Sequence, residues 1–330
     1  MSGTTPTLIA HCSSLIASPQ GGLVIQYIIR RLIQAAFVVF GVITVVFFVL
    51  HLTGDPVRLL LSQNSSEADI QNMRHNLKLD RPLWEQYVTF LGNAVHGSFG
   101  NSIRFQGFDA MHLVLTRYPR TIQLAVAALV LSVTLSIVFG VIAAVKRYSF
   151  LDNAVTFFAL FGQSVPNFWL GIMLILIFAV RFGWFPSQGY GLSPRYFLMP
   201  MVTLAAPGLA RLTRLVRSGM LDVMDQDYVR TARAKGLKEM LVIFRHGLKN
   251  AAIPLVTVIG LDFGNLLAGA VITEQIFQWT GVGQLAVDSI NAHDFPVVQA
   301  IVFLVAVTFV LINLFVDILY TWLDPRVRLS

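Results

Sequence analysis

Five long apolar stretches divide this 330-residue chain and constrain its fold more than any other feature. Leu32 to Leu52, Thr121 to Val145, Ala154 to Val180, Ala251 to Ile272 and Val297 to Trp322 each reach the roughly 20 apolar residues that a helix needs to cross about 30 Å of hydrocarbon. A sixth, from Tyr196 to about Val216, is interrupted by Pro200 and Pro207 and carries Arg211 and Arg214 near its end. Prolines are tolerated in membrane helices because neighbouring groups re-satisfy the freed carbonyls, so this segment also counts as a span. Without it the basic loops would fall on opposite sides of the bilayer. Only 12% of the residues are charged, about half the share of a soluble domain. The expected fold is an all-α integral membrane protein with six transmembrane helices.

The formal net charge of +7 would suggest nucleic acid in a soluble chain. Here the cations segregate instead. Arg30 and Arg31 precede the first span, and Lys146 and Arg147 follow the second. Arg217, Arg230, Arg233, Lys235, Lys238, Arg245 and Lys249 lie between the fourth and fifth, and Arg326 and Arg328 end the chain. With six spans all of these share one face, which the positive-inside bias makes cytoplasmic, together with both termini. The loop from Thr273 to Pro296 holds Glu274, Asp288 and Asp294 but no Lys or Arg, as expected of the opposite side. Membrane side thus accounts for the net charge with no nucleic acid partner.

Residues 1–26 contain no Lys or Arg and so lack the charged start of a secretory signal; they read as a poorly ordered cytoplasmic leader. Its Cys12, the only cysteine, rules out an intramolecular disulfide and any multi-cysteine metal site. The bulky His11 before it argues against lipidation. Residues 53–120 form a helical external segment: Ser66 and Asp69 make a capping box, Ile70, Met73 and Leu77 follow at helical spacing, and glycine turns close it at His96 to Ser102.

Enzyme signatures are missing. There is no H-E-x-x-H, no G-x-S-x-G and no phosphate-binding glycine loop with its lysine, and the seven histidines are scattered. Two ionisable residues, Asp262 and Asp317, fall inside spans, where burying a charge is costly. Asp317 lies near the cytoplasmic end, within reach of water or Arg326. Asp262, with Asn265 on the same helical face, is the better pathway candidate, with helix packing as the alternative. In the third span Pro166 removes a backbone hydrogen bond and kinks the helix. Gln163, Ser164 and Asn167 beside it either line a water-filled route or serve packing alone. Gly260 and Gly264 suit a close helix contact.

Residues 225–249 form the most polar stretch of the second half. Asp225 and Asp227 open a helical pattern and Arg245, His246 and Lys249 close it, as the helix dipole favours. The pattern calls for two short helices with Gly236 at their junction. Small Thr231, Ala232 and Ala234 would let another backbone come close, and Val229, Leu237, Met240 and Ile243 would offer apolar contacts. Such a pair suits either a docking protein or an anionic lipid surface.

This stretch resembles the "EAA" coupling segment of permease subunits of binding-protein-dependent ABC importers, and the run "DYVRTARAKGL", Asp227 to Leu237, is similar to that of the dipeptide/oligopeptide branch. Arg230, Thr231 and Ala232 stand at the Glu-Ala-Ala positions, with the glycine at Gly236. The resemblance extends from Tyr27 onward, through "GDPVRLLL", "LKLDRPLWEQYVTFL", "HGSFGNS", "PNFWLG", "TEQIFQWTGVGQLAVDSI" and "INLFVDILYTWLDPRVRL". Gly54-Asp55-Pro56 and the Asp324-Pro325-Arg326 ending look like the B-type permease.

The resemblance implies a multi-pass transport subunit of the bacterial inner membrane spanning 27–330, not an enzyme. It implies a C-type permease completing the pathway, two ABC ATPase subunits that supply ATP and Mg chemistry, and an extracytoplasmic peptide-binding protein. No cofactor is expected on this chain. Tyr228, Arg230, Thr231, Ala232, Arg233, Ala234, Lys235, Gly236 and Leu237 become the expected ATPase-coupling residues. Dipeptides or short oligopeptides are the implied cargo, with glutathione or nickel as the alternative within the same machinery. A self-sufficient channel or proton-coupled carrier is the competing class.

Overall fold

The computed structural model describes residues 19–52, 66–76, 80–191 and 193–323. Among them the structure is helical, with one isolated antiparallel bridge between Asn101 and Asp109. Helix α1 (Pro19–Leu52) begins on a proline, where the missing N–H would have had no intrahelical acceptor. Residues 19–26, expected to be poorly ordered, are already helical. Cys12, the Gly54-Asp55-Pro56 run, Leu77 and the Asp324-Pro325-Arg326 ending lie outside the described residues.

The segment after α1 contains α2 (Glu67–Asn76) and α3 (Leu83–Val95). Gly97, Gly100 and Gly107 then turn the chain at φ of 72°, 86° and 85°, a region that side chains rarely enter. Asp109 accepts a hydrogen bond from the His112 N–H at 2.9 Å and caps α4 (Ala110–Val145). This cap explains why α4 starts well before Thr121 and runs through Pro119.

The third apolar stretch departs most from expectation. It is two helices, α5 (Phe150–Ser164) and α6 (Asn167–Leu174), the latter running into a π-helical stretch Ile175–Arg181, and the halves are bent by 104°. Proline crowds the residue before it out of the helical region, and Val165 is accordingly extended at φ −79°, ψ 124°. Pro166 thus breaks the helix where a kink was expected.

Helix α7 (Pro194–Met224) keeps Pro200 and Pro207 inside it. After α8 (Asp227–Ala234), a short turn Glu239–Leu241 and a π-helical stretch Val242–Leu248 lead without a break into α9 (Lys249–Phe277). The second half of the polar stretch is therefore continuous with α9 rather than a separate short helix. Then come α10 (Val282–Asn291) and α11 (Phe295–Leu323). The apparent loop from Thr273 to Pro296 is mostly helix, with Glu274 inside α9.

Among the described residues, four helical segments are long and apolar enough to cross a membrane: Ile29–Leu50, Ala110–Val145, Pro254–Phe277 and Phe295–Asp317. The bent α5–α6 pair makes a fifth if it is one span. Helices α4 and α7 share the most extensive contact, built on a stripe of small residues, Ala125, Ala128, Ser132, Ser136 and Gly140. A Cβ at Gly140 would lie 2.6 Å from that of Val216. Buried apolar clusters follow one another through the molecule, from Phe99, Val114 and Ile301, through Leu124, Leu204 and Trp279, to Leu212, Met220 and Leu255.

Gly260 and Gly264 meet α11 through Val316 and Phe309. A Cβ on Gly264 would stand 2.7 Å from the Phe309 ring, and one on Gly260 would overlap Val316 more severely. Gly260→Ala is therefore expected to cost about 1–3 kcal/mol by overpacking. Thermal unfolding in detergent checks this, with Val316→Ala in the same chain recovering part of the loss.

Candidate functional site

The coupling stretch is built around the end of α8. Gly236 has φ +74°, its N–H donates to the Arg233 carbonyl at 2.9 Å, and the Leu237 N–H donates to the Ala232 carbonyl at 3.4 Å. These two bonds are a Schellman motif, which reverses the chain direction and satisfies the last carbonyls of the helix. The Arg233 guanidinium spans the bend to Glu239, with Nη2 at 2.8 Å from Oε1. It holds the Glu239 carboxyl below the usual range, and Glu239 in turn holds Arg233 above its own.

One side of this element faces inward. Val229, Ala232 and Val242 are buried and pack against Val223 and Met224 of α7. Val229 and Ile243 were expected to face a partner, but both are buried within the chain, and Ala232 is covered as well. The exposed side presents Tyr228, Arg230, Thr231, Arg233, Ala234, Lys235, Gly236 and Leu237, joined by Met240 at 67% exposure, Leu241 and Phe244. Eight of the nine expected coupling residues are thus exposed, Ala232 being the exception.

A row of arginines on α7 ties this helix to its neighbours. Arg211, Arg214 and Arg217 recur every three residues, which places them along one side of the helix. Arg211 pairs with Asp262 of α9. Arg214 donates to Gln163 Oε1 at 2.7 Å, and Arg217 grips Asp152 of α5 with Nε at 2.6 Å and Nη2 at 2.8 Å. The pathway candidates Gln163 and Asp262 are therefore both tied to α7, a turn apart. Ser164 is exposed and donates to the Leu160 carbonyl at 2.9 Å. Pro166 precedes α6, Asn167 is half-buried at its start, and Asn265 is exposed. Asp317 pairs with Arg31 of α1 at 3.1 Å; Arg326, its expected partner, lies outside the described residues.

The opposite end carries residues that sequence reading missed. Glu274 is fully buried, accepts from Thr121 Oγ1 at 2.6 Å and from the Gln284 N–H at 3.0 Å, and fills the space that Cβ atoms on Gly281 and Gly283 would need. Thr121 also accepts from the Val282 N–H at 2.8 Å. Trp279, fully buried, donates from its indole to the Arg120 carbonyl at 3.2 Å. Asp294, equally buried, accepts from Ser102 Oγ and from the N–H groups of Ile103 and Arg104 at 3.1 and 3.2 Å. The signal was a lone acid at the end of an apolar run, ahead of a G-x-G. Among the described residues no group of three or more His, Cys, Asp or Glu is placed to hold a metal.

Comparison with known proteins identifies the assembly that such a bundle serves. Residues 136–329 match the family described as binding-protein-dependent transport system inner membrane component, and residues 24–125 match its N-terminal companion. The chain belongs to this family. It is a permease, an inner membrane component of a bacterial ABC importer, and ATP hydrolysis takes place in separate ATPase subunits.

The permease is 40% identical over 312 residues to an oligopeptide transport system permease of Bacillus subtilis strain 168, covering 92% of this chain and 99% of that one. It is also 40% identical over 305 residues to a glutathione transport system permease of Escherichia coli K12, again covering 92% and 99%. An inward-facing methionine ABC transporter structure shares its fold at TM-score 0.53 and 18% identity, covering 65% of this chain and 97% of that one. The permease itself binds no cofactor, and ATP is handled by the partner ATPases.

Two outcomes test this geometry. Asp152→Ala leaves Arg217 without its carboxylate and is expected to cost about 2 kcal/mol, less than a fully buried pair would, because Arg217 remains 29% exposed. Removing both partners as Asp152→Leu with Arg217→Met is expected to cost less, as thermal unfolding would show. Glu239 has a folded pKa below its unfolded value of about 4.3, so the stabilisation it provides is present above that pH and lost as the pH falls through the folded value. The stability difference between the natural chain and Glu239→Gln, below about 1 kcal/mol for so exposed a pair, is expected to be level above pH ~5 and to vanish on acidification.

Proposed function

We propose that this permease forms half of the translocation pathway of an ATP-driven importer of short peptides and transmits ATPase motion through α8. The observation that carries this reading is the capped bend at Gly236: it presents cations and apolar side chains outward, while Val229, Ala232 and Val242 anchor it to α7. The helical continuity from Glu239 into α9 anchors it to a span as well. A displacement of α8 would therefore reach both α7 and α9. Arg214 and Arg217 carry it on to α5, the first half of the bent pair, and Arg211 joins α7 to α9 at Asp262.

The membrane arrangement belongs to the same reading. α7 acts as the sixth span, its arginines satisfied by side chains of α5 and α9, and the basic flanks support a cytoplasmic side for both termini and α8. A C-type permease completes the pathway, two ATPase subunits grip the coupling surfaces, membrane lipid surrounds the spans, and an extracytoplasmic binding protein delivers cargo. The region from residue 27 acts as one transmembrane domain behind a short leader. Relatives named for oligopeptide and glutathione transport support a peptide or peptide-like substrate. The pairing of Asp262 with Arg211 weighs against a free proton-carrying acid and so against a proton-coupled carrier.

A Cβ on Gly236 would meet nothing within 4 Å, so a substitution there acts through backbone strain alone. At φ +74° a β-branched residue is disfavoured, whereas asparagine tolerates the left-handed region. Gly236→Val is expected to lower ATP-driven uptake by about tenfold or more, equivalent to about 1.4 kcal/mol, with membrane insertion unchanged. Gly236→Asn should retain most activity. Uptake by the reconstituted importer measures both, and normal transport by the valine variant would overturn the coupling role.

A further inference from the structure

Helix α3 presents three distinct sides. Tyr87 and Phe90 pack on α1, where Phe47 stands 5.3 Å from each ring and Thr44 shares a 2.7 Å hydrogen bond with the Tyr87 hydroxyl. Ala94 is buried on the same side. At roughly 100° per residue, Trp84, Val88, Leu91 and Val95 form a second stripe centred about 110° around the helix. This stripe is apolar yet uncovered, with Trp84 66%, Val88 59% and Val95 84% exposed. Glu85, Gln86, Thr89 and Asn93 occupy the remaining side, roughly 120° from the first side and about 145° from the apolar stripe.

The depth of α3 follows from what it touches. The apolar span of α1 runs from Ile29 to Leu50, 22 residues, about the 33 Å that a hydrocarbon core requires. Thr44 and Phe47 stand six and three residues before Leu50, so at a rise of about 1.5 Å they lie roughly 9 and 5 Å inside that end of the span. A second route agrees. Phe90 touches Phe99, which packs 5.2 Å from Phe303, eight residues or about 12 Å inside the α11 span that begins at Phe295. An amphipathic helix lying in a bilayer surface buries its apolar face about 5–10 Å into the headgroup and acyl boundary.

We propose that α3 is an interfacial helix of the permease, lying in the plane of the membrane with its Trp84, Val88 and Val95 stripe in the acyl region of the leaflet at the Leu52 end of α1. The bundle takes one side, lipid the second and water the third. The apolar stripe is continuous with the uncovered surface of α1, where Phe48, 44% exposed, touches Tyr87 while Val45 and Val49 remain open. Just before α3, His75 and Asp80 share a 2.8 Å hydrogen bond and are exposed, polar groups that suit the wet side. Trp84 suits the boundary because an indole combines an apolar ring with a polar N–H.

The test is spin-label accessibility in the assembled importer, reconstituted in phosphatidylethanolamine and phosphatidylglycerol vesicles. Cys12 is replaced by serine, and single nitroxides are attached through Val88→Cys, Val95→Cys, Thr89→Cys and Asn93→Cys. Collision with oxygen, which partitions into lipid, is expected to exceed collision with a water-soluble nickel chelate several-fold at 88 and 95, with the order reversed at 89 and 93. A nickel preference at 88 and 95 would place the stripe in water and overturn the proposal. Low access to both reagents there would mean that protein, such as a second permease chain, covers the stripe, and would overturn it equally.

Discussion

The bundle depends on satisfying the arginines of α7. A guanidinium among apolar helices is costly unless a carboxylate or carbonyl oxygen accepts its hydrogen bonds. Arg211, Arg214 and Arg217 find Asp262, Gln163 and Asp152, on helices either side of α7. Each bond therefore fixes the rotation of α7 as well as its position. The small-residue stripe of α4 can then close on α7, with Gly140 against Val216. Paired charges stabilise little more than apolar packing would, but they specify one arrangement more narrowly.

From that centre the two ends of the molecule serve different purposes. At the end that carries α8, a helix of eight residues is pinned by a few buried side chains and leaves its charged surface open. At the other end, Glu274 and Asp294 bury their carboxylates completely and use them to hold backbone N–H groups of neighbouring segments. One end leaves its surface open and the other closes within the chain. The bent α5–α6 pair is attached to α7 through Arg214 and Arg217, which bond to α5.

Much of this was legible in the linear sequence. Long apolar runs identify spans because hydrocarbon demands continuous helix, and the polar stretch around Gly236 announced a bend because glycine alone enters left-handed backbone freely. The family resemblance rested on the same residues. The Glu274 hub was not legible, because a single acid near the end of an apolar run reads equally well as a solvated loop residue. Val229 and Ile243 misled for a related reason: apolar residues on a polar segment are equally consistent with a partner or with the chain's own core.

The sequence by itself determined which segments are helical and apolar, where prolines and glycines interrupt them, and which family the chain resembles. These are local properties, set by backbone sterics and by the transfer of side chains from water to oil. Only the tertiary structure decided that Pro166 breaks its span by 104°, that the segment after Gly236 merges into α9, and that Arg211, Arg214 and Arg217 have partners. Those outcomes depend on groups far apart in the chain meeting at hydrogen-bond distance, which no local pattern encodes.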